Sequence, residues 1–444
     1  MAKVALVSLG CPKNLVDSEG AVGEISQAGH EITDDLSRAD AIVVNTCGFI
    51  ESAREESVEA ILQAVEHKRS GRCRAVIVIG CLSQRFGVDL ARELEEVDAF
   101  LGVGHVGEVA GAVESALCGQ RVVSGAQPPT QWVEPRRRVR STPPWTAYIK
   151  ISDGCDNRCA YCAIPDIRGP FRSRPSKLIV EEAKRLAGEG VRELILVGQD
   201  STQYGADLGR PGSLPRLLED LDGIDGLRWI RVMYCYPSKI DADLVRALTS
   251  LQKVVRYLDI PFQHADDAVL RAMSRRGTAE SYLRLIDDLR SACPEIALRS
   301  TFIVGFPGES DAAFRRLLDF VRIARLDHVG VFAYSAEEGT PAAKLARRPG
   351  RKKAAGRLDE LMRLQQGISL ERNRSLVGAQ LDVLVEGFAE GCAVGRSYRD
   401  APEIDGLVYV RGCRSDAGEF IRATVTGATE YDLTAGLDEP CTTG

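Results

Sequence analysis

The chain has 444 residues, 44% of them hydrophobic and 27% charged, with thirteen cysteines and a net charge of −6. That length exceeds one compact core and predicts two or three domains, and the composition is that of a globular protein, not a disordered or fibrous one. No apolar run approaches a membrane span and Met1 to Val7 is too short for a signal peptide, so the chain is read as cytoplasmic, where thirteen cysteines point to metal or redox use more than to disulfides.

Residues 1–120 alternate short apolar runs with amphipathic segments, which predicts an open parallel α/β domain of Rossmann or flavodoxin type. Three runs end on a cysteine. Val4 to Gly10 leads to Cys11, Ala41 to Thr46 to Cys47, and Ala75 to Gly80 to Cys81, at intervals of 36 and 34 residues that each fit one strand–helix–strand unit. Ligands of such sheets bind beyond the carboxyl ends of the strands, so the three thiols are expected to converge. One cysteine at a strand end is ordinarily a small buried residue; three in the same placement point to a three-thiolate cluster site with one iron left open. A helix is expected from about Lys13 to Ala28. Another carries a Ser52–Glu55 capping box and a stripe of Val58, Ile61, Leu62 and Val65. Residues 121–144 hold Gln127-Pro128-Pro129, the run Arg136, Arg137, Arg138 and Arg140, and Pro143-Pro144 without periodicity, and read as a linker.

From 145 to 343 the alternation returns. Strands are expected at 146–152, 193–198, 229–235, 255–260, 298–304 and 328–334, with helices such as 176–189, capped by Ser176, and 310–323 between them. Six such units predict a partial (β/α)6 barrel of TIM type. The first strand leads into Cys155-Asp156-Asn157-Arg158-Cys159-Ala160-Tyr161-Cys162. Three thiolates so spaced in one loop can bind three irons of a 4Fe-4S cluster and leave the fourth open. A zinc knuckle, which usually needs a second paired set, or buried apolar thiols are the alternatives. The other strand exits are polar or glycine-rich, among them Val197-Gly198-Gln199-Asp200 and Gly305-Phe306-Pro307-Gly308-Glu309. Together they outline one mouth. Cys235 beside it reads as a neighbour of the site or as core, and His264 as a hydrogen-bonded structural residue.

Residues 344–374 read as a basic connector helix packed on the barrel. From 375 to 444 short alternating runs separated by glycines predict a small antiparallel β-barrel of OB-like type. This tail has five Arg, no Lys and twelve Asp plus Glu, a net −7.

The CxxxCxxC loop resembles the signature of the radical SAM superfamily. Ser8-Leu9-Gly10-Cys11-Pro12-Lys13-Asn14-Leu15-Val16-Asp17-Ser18-Glu19, the Asn45-Thr46-Cys47 and Gly80-Cys81 strand ends, Lys150 to Cys155 and the C-terminal β-module are similar to the methylthiotransferases of that superfamily, over nearly the whole chain. The resemblance implies two 4Fe-4S clusters, on Cys155, Cys159 and Cys162 and on Cys11, Cys47 and Cys81. It also implies S-adenosylmethionine as both radical source and methyl donor, a C-terminal TRAM domain, and an electron donor such as flavodoxin or ferredoxin. A 5′-deoxyadenosyl radical would abstract hydrogen from the substrate, and the open iron of the second cluster would carry sulfur, with electron relay as the alternative. Tyr161, Gln199, Gly305 and Gly308 are the expected cofactor contacts, though the two glycines suit a tight strand-to-helix turn equally well.

Two subfamilies compete, one acting on a transfer-RNA adenosine and one on the β-carbon of an aspartate in small-subunit ribosomal protein S-twelve. Gly10-Cys11-Pro12-Lys13 is similar to the second, where the tRNA enzymes tend to have Gln-Met after the cysteine. Ser335-Ala336-Glu337-Glu338 carries acids where they usually have Arg-Pro. A net −7 tail, with Asp400, Glu403 and Asp405 clustered around Ala401-Pro402, suits a basic protein partner better than RNA. The expectation is a cytoplasmic monomer, not membrane-bound, acting on ribosomal protein S-twelve through its acidic TRAM domain. An iron–sulfur carrier is the alternative outside catalysis.

Overall fold

The structure is a computed structural model and describes residues 1–124, 127–210, 212–346 and 348–437. The first sheet has six parallel strands in the order Glu31–Ile32, Lys3–Ser8, Ala41–Thr46, Ala75–Gly80, Ala99–Leu101 and Val122–Ser124. Its central strands are buried throughout, as expected of a parallel sheet covered on both faces. Helices Pro12–Gln27 and Val109–Leu117 pack one face, and Glu51–Ser70 and Cys81–Glu93 the other. Helix Glu51–Ser70 begins without a side-chain cap, so the expected Ser52–Glu55 box does not form. Of its expected stripe, Leu62 is exposed, while Ser57 is buried against the loop at Cys47. The sixth strand falls within the stretch expected to be linker; three residues are too few for alternation to betray a strand.

The second sheet also has six parallel strands, in the order His328–Ala333, Ala297–Val304, Val254–Asp259, Trp229–Val232, Glu193–Val197 and Thr146–Lys150. Helix Ser176–Gly188 starts after Pro175 with no side-chain cap, so Ser176 lies within the helix instead of capping it. Ser310 does cap Asp311–Ala324, accepting from the Ala313 N–H at 3.1 Å. The basic helix begins later than expected, at Arg351, and runs to Arg374. It packs on the barrel through Leu361 and Ile368 and pairs Arg357 with Glu309 and Arg372 with Asp327.

Five strands from Gln380 to Gly436 close a small barrel. It docks on the inner face of the second sheet, where Leu384 and Ala401 join Tyr148, Ile195, Trp229 and Tyr257, together with Val16 from the first helix. At this junction Glu193, fully buried, is held by Arg231 at 2.9 Å and Arg396 at 2.6 Å. Asp405 accepts from Tyr257 at 2.7 Å and Arg299 at 3.2 Å, and Asp400 accepts from the Ser397 hydroxyl at 2.7 Å. Two of the three acids expected to face a basic partner are thus buried inside the molecule, and only Glu403 of that group is exposed.

Candidate functional site

The loop from Cys155 to Cys162 is closed at its base by a short antiparallel pair, Ser152–Asp153 with Arg172–Ser173. Gly154 makes the turn at φ +77°, and a Cβ there would lie 2.1 Å from the Pro170 carbonyl oxygen, so no other residue fits. The Cys155 N–H donates to the Gly169 carbonyl and the Ala160 N–H to Met273, pinning the loop to its surroundings. Cys155 and Cys159 are each 8% exposed. Burial pushes the Cys155 thiol up to about 11, with Asp200 and Cys159 adding to it. Cys162 is raised by burial and then by Cys159 and Cys155. Thiols that suppress one another's ionisation this way are close neighbours, and a cation bound among them would release their protons.

The three cysteines of the second trio stand at strand ends of the first sheet. Cys11 is the N-cap of Pro12–Gln27, Cys47 follows Thr46, and Cys81 opens helix Cys81–Glu93. A Cβ on Gly10 would sit 2.8 Å from Cys47 Cβ, which measures how closely these strand ends approach. Ser57 Oγ bonds both the N–H and the carbonyl of Cys47 at 2.9 Å. Burial raises Cys47 to about 11, with contributions from Cys81 and Cys11. Burial also pushes Cys11 up, but Lys13 and Arg168 outweigh it and leave that thiol below its ordinary value.

Arg168 ties the second trio to the base of the cysteine loop. Its guanidinium, 1% exposed, donates to both Asp153 carboxylate oxygens at 3.0 and 3.1 Å, to Asp17 at 3.0 Å and to Asn14 at 3.3 Å. It also lies beside Cys81 and Cys11. Cys81 packs against Ala163 and Ile167, on the chain just after Cys162. Lys150 bonds Asp17 and, at 3.0 Å, Asp153. A second tie joins Arg54 and Arg85, on the helices of the first sheet, to Glu337 at the exit of strand His328–Ala333. Glu337 is 1% exposed, so this acid holds the two sheets together.

The expected cofactor contacts divide. Gln199 donates to Asp153 at 3.0 Å, and its Oε1 is buried without a partner. Ser152 Oγ and Tyr334 OH are likewise buried and unpartnered. Orphaned polar atoms at three strand exits of one barrel mouth are what a polar ligand would satisfy, and the thiol trios are the donor set of an iron–sulfur cluster; the residues fit both groups. Tyr161 packs among Ala160, Met273 and Phe306 beside the cysteines. Gly305 answers to packing: its Cβ would meet Ala354 Cβ at 2.7 Å, on helix Arg351–Arg374. Gly308 has φ +85° and open space around it, as a tight turn requires. Cys235 is fully buried core, and His264, also fully buried, accepts the Asp266 N–H at 2.9 Å.

Sequence reasoning passed over Arg168 and Arg275 and gave Asp153, within the Lys150 to Cys155 motif, no role of its own. Arg275 is 8% exposed and lies 3.8 Å from Cys159 Sγ over the Tyr236 ring. Nothing in the local pattern separates these residues from solvated charges. A cleft of about 680 Å³ beside the cysteine loop is lined by Asp156, Asn157, Arg158, Tyr236, Lys239 and Arg276. Among the described residues no helix is long and apolar enough to cross a membrane.

Family models match residues 149–321 as the radical SAM superfamily, 3–102 as uncharacterized protein family UPF0004 and 377–437 as a TRAM domain. Among solved structures, the radical S-adenosylmethionine methyltransferase TsrM from Kitasatospora setae, with cobalamin and a [4Fe-4S] cluster bound, superposes with a TM-score of 0.56 at 16% identity. That match covers 88% of this chain and 80% of that one, and it speaks for the fold. Ribosomal protein uS12 methylthiotransferase RimO of Symbiobacterium thermophilum is 48% identical across 99% of this chain and 92% of its own, and that of Pelotomaculum thermopropionicum is 49% identical across 97% and 98%. With the cysteine-bearing strand ends, the partial barrel and the closing β-module all matched end to end, this chain belongs to the family of ribosomal protein uS12 methylthiotransferases.

Proposed function

We propose that this chain replaces a hydrogen on the β-carbon of an aspartate in ribosomal protein uS12 with a methylthio group. The observation that carries the reading is the place of Arg168, which lies beside Cys11 and Cys81 of one sheet and bonds Asp153 at the base of the loop that carries Cys155, Cys159 and Cys162 in the other. A radical generator alone needs one trio. The full-length likeness to uS12 methylthiotransferases supports this substrate over a tRNA adenosine, and a barrel with unpartnered polar atoms at its mouth supports an enzyme over a carrier.

Cys155, Cys159 and Cys162 would hold one 4Fe-4S cluster and Cys11, Cys47 and Cys81 the other, each with one iron free of protein ligands. When bound, the clusters and S-adenosylmethionine supply an electron, a hydrogen-abstracting radical, a sulfur atom and a methyl group. The chain binds, orients and excludes water. Burial of Cys155 and Cys159 keeps water from the first trio. Gln199 Oε1 and Ser152 Oγ offer S-adenosylmethionine polar contacts, with Tyr161 alongside. Arg168, fixed by Asp153 and Asp17, holds the two trios in register.

The remaining exposed acids of the C-terminal barrel, Glu390, Glu403, Asp416, Glu419 and Glu430, outnumber its exposed Arg411, Arg414 and Arg422, a balance that attracts a basic protein such as uS12. The enzyme works as a cytoplasmic monomer and takes electrons from a donor such as flavodoxin or ferredoxin. Anaerobically reconstituted protein given reductant, sulfide and S-adenosylmethionine should raise the mass of uS12 by one methylthio group in place of hydrogen. Modified tRNA with unmodified uS12 would overturn the assignment.

A further inference from the structure

Among the described residues, buried cations are paired with carboxylates. Arg168 meets Asp17 and Asp153, Arg174 meets Glu182, Arg231 and Arg396 share Glu193, and Arg399 meets Asp327. Two depart from the pattern. Arg275 donates to the Pro261 carbonyl and approaches Cys159. Lys13 is 9% exposed, and its nitrogen has neither an ion pair nor a hydrogen bond; it rests 3.4 Å from the centroid of the Tyr234 ring. A ring face offsets only part of the cost of taking an ammonium out of water. The missing element is an anion.

We propose that Lys13 Nζ, held on Tyr234, binds the side-chain carboxylate of the target aspartate. This rests on the reading of the chain as an aspartyl methylthiotransferase. Lys13 stands in the first turn of helix Pro12–Gln27, two residues after Cys11. Tyr234 reaches it from the other sheet, at the exit of strand Trp229–Val232. The tyrosine holds a left-handed backbone, φ 62°, which a bulky side chain adopts only when its surroundings enforce it. Here its N–H donates to buried Asp259 at 3.2 Å. The seat for the ammonium is therefore assembled where the cysteine-bearing sheet meets the barrel mouth.

The chemistry of the substrate selects this place. The β-carbon of aspartate is bonded directly to the carboxylate carbon. A cation beside Cys11 that grips the carboxylate holds the reacting carbon one bond away, next to the trio assigned to sulfur delivery. The competing role, counter-charge to the thiolates, does not exhaust Lys13: it shares Cys11 with Arg168, and Arg168 also lies against Cys81. Arg168 is also saturated by Asp17 and Asp153, whereas Lys13 is free to take a carboxylate. A site built around an unpaired charge rejects the uncharged isostere strongly, because the charge is then left buried without a partner.

The test is equilibrium binding of a uS12 peptide spanning the target aspartate, and of the same peptide with Asn in its place, to reconstituted wild type, Lys13→Met and Lys13→Arg, with iron counted in each. Wild type should favour the aspartate peptide by about 10- to 150-fold, the span of a charge-assisted hydrogen bond at tenfold per 1.4 kcal/mol. Lys13→Met should bind both peptides alike with its iron intact, and Lys13→Arg should recover part of the preference. An aspartate preference retained in Lys13→Met, or loss of iron from the Cys11 trio in that variant, would overturn the proposal. Failure of wild type to modify uS12 at all would instead overturn the functional reading, and it is seen without any variant.

Discussion

Replacing Arg168 with Met removes the guanidinium that joins the two sheets while keeping much of its volume. Arg168 is 1% exposed and makes two bonds to Asp153, one to Asp17 and one to Asn14. Without it Asp153 retains Lys150 at 3.0 Å and Arg172 at 3.9 Å, so its charge is weakened in its pairing and not orphaned. Breaking a buried pair by removing one partner costs about 3–5 kcal/mol, and the surviving lysine argues for the low end, about 3 kcal/mol. Urea unfolding at pH 7 followed by tryptophan fluorescence and circular dichroism reads it, in the transition that separates the sheets, since a chain of several units need not unfold in one step. Burial opposes ionisation of Asp153, but Arg168, Lys150 and Arg172 overcome it and hold the carboxyl well below its usual range. A carboxylate so depressed contributes stability that is present above its unfolded pKa of about 3.9 and is lost as pH falls below that. The Arg168→Met penalty should therefore shrink in acid. Adding Asp153→Asn should recover part of the loss, with a coupling above about 1 kcal/mol. A single-variant cost within about 0.5 kcal/mol, the level of an ordinary surface change, would refute the linking role.

Glu193→Gln should loosen the C-terminal barrel from the partial barrel, because Arg231 and Arg396 would lose a shared, fully buried counter-charge worth about 3 kcal/mol. Amide exchange across Gln380–Ala389 should accelerate, and unchanged exchange would show that apolar packing alone holds the junction. Gly305→Ala should destabilise through two causes, its φ of +77° and the 2.7 Å approach to Ala354 Cβ, by about 1–3 kcal/mol. Gly308→Ala, with open space around it, carries the backbone cost alone and should cost about 1 kcal/mol. If Gly305→Ala were as mild as Gly308→Ala, helix Arg351–Arg374 would not be docked as described.

Long apolar runs bounded by glycine or a polar exit made nine of the strands readable, the three before Cys11, Cys47 and Cys81 and the six of the barrel. Glu31–Ile32, Ala99–Leu101 and Val122–Ser124 were not, because a strand of two or three residues carries no period and exists through its neighbours' hydrogen bonds. Caps read from residue type alone failed at Ser52 and Ser176, where the helix starts one residue before the candidate cap in the first case and on it in the second. Cys155, Cys159 and Cys162 were readable from their spacing in one loop, and Cys11, Cys47 and Cys81 from their places at the ends of parallel strands. Charges were not. Asp400 and Asp405 in the acidic tail and Glu337 after the sixth strand look like surface acids in the sequence, yet Asp405 and Glu337 are folded inward onto partners distant in the chain and Asp400 is buried against Ser397, three residues away. Arg168 and Lys13 are invisible for the same reason, since a buried pair is defined by three-dimensional neighbours that no local pattern encodes.

The most direct test of the two-cluster account is the iron and labile sulfide content of the anaerobically reconstituted protein, compared with Cys155→Ala and Cys47→Ala. The account predicts about eight irons in the wild type and about four in each variant, since each substitution removes one four-iron site and leaves the other. A fall in only one variant, or wild type that binds about four, would contradict it.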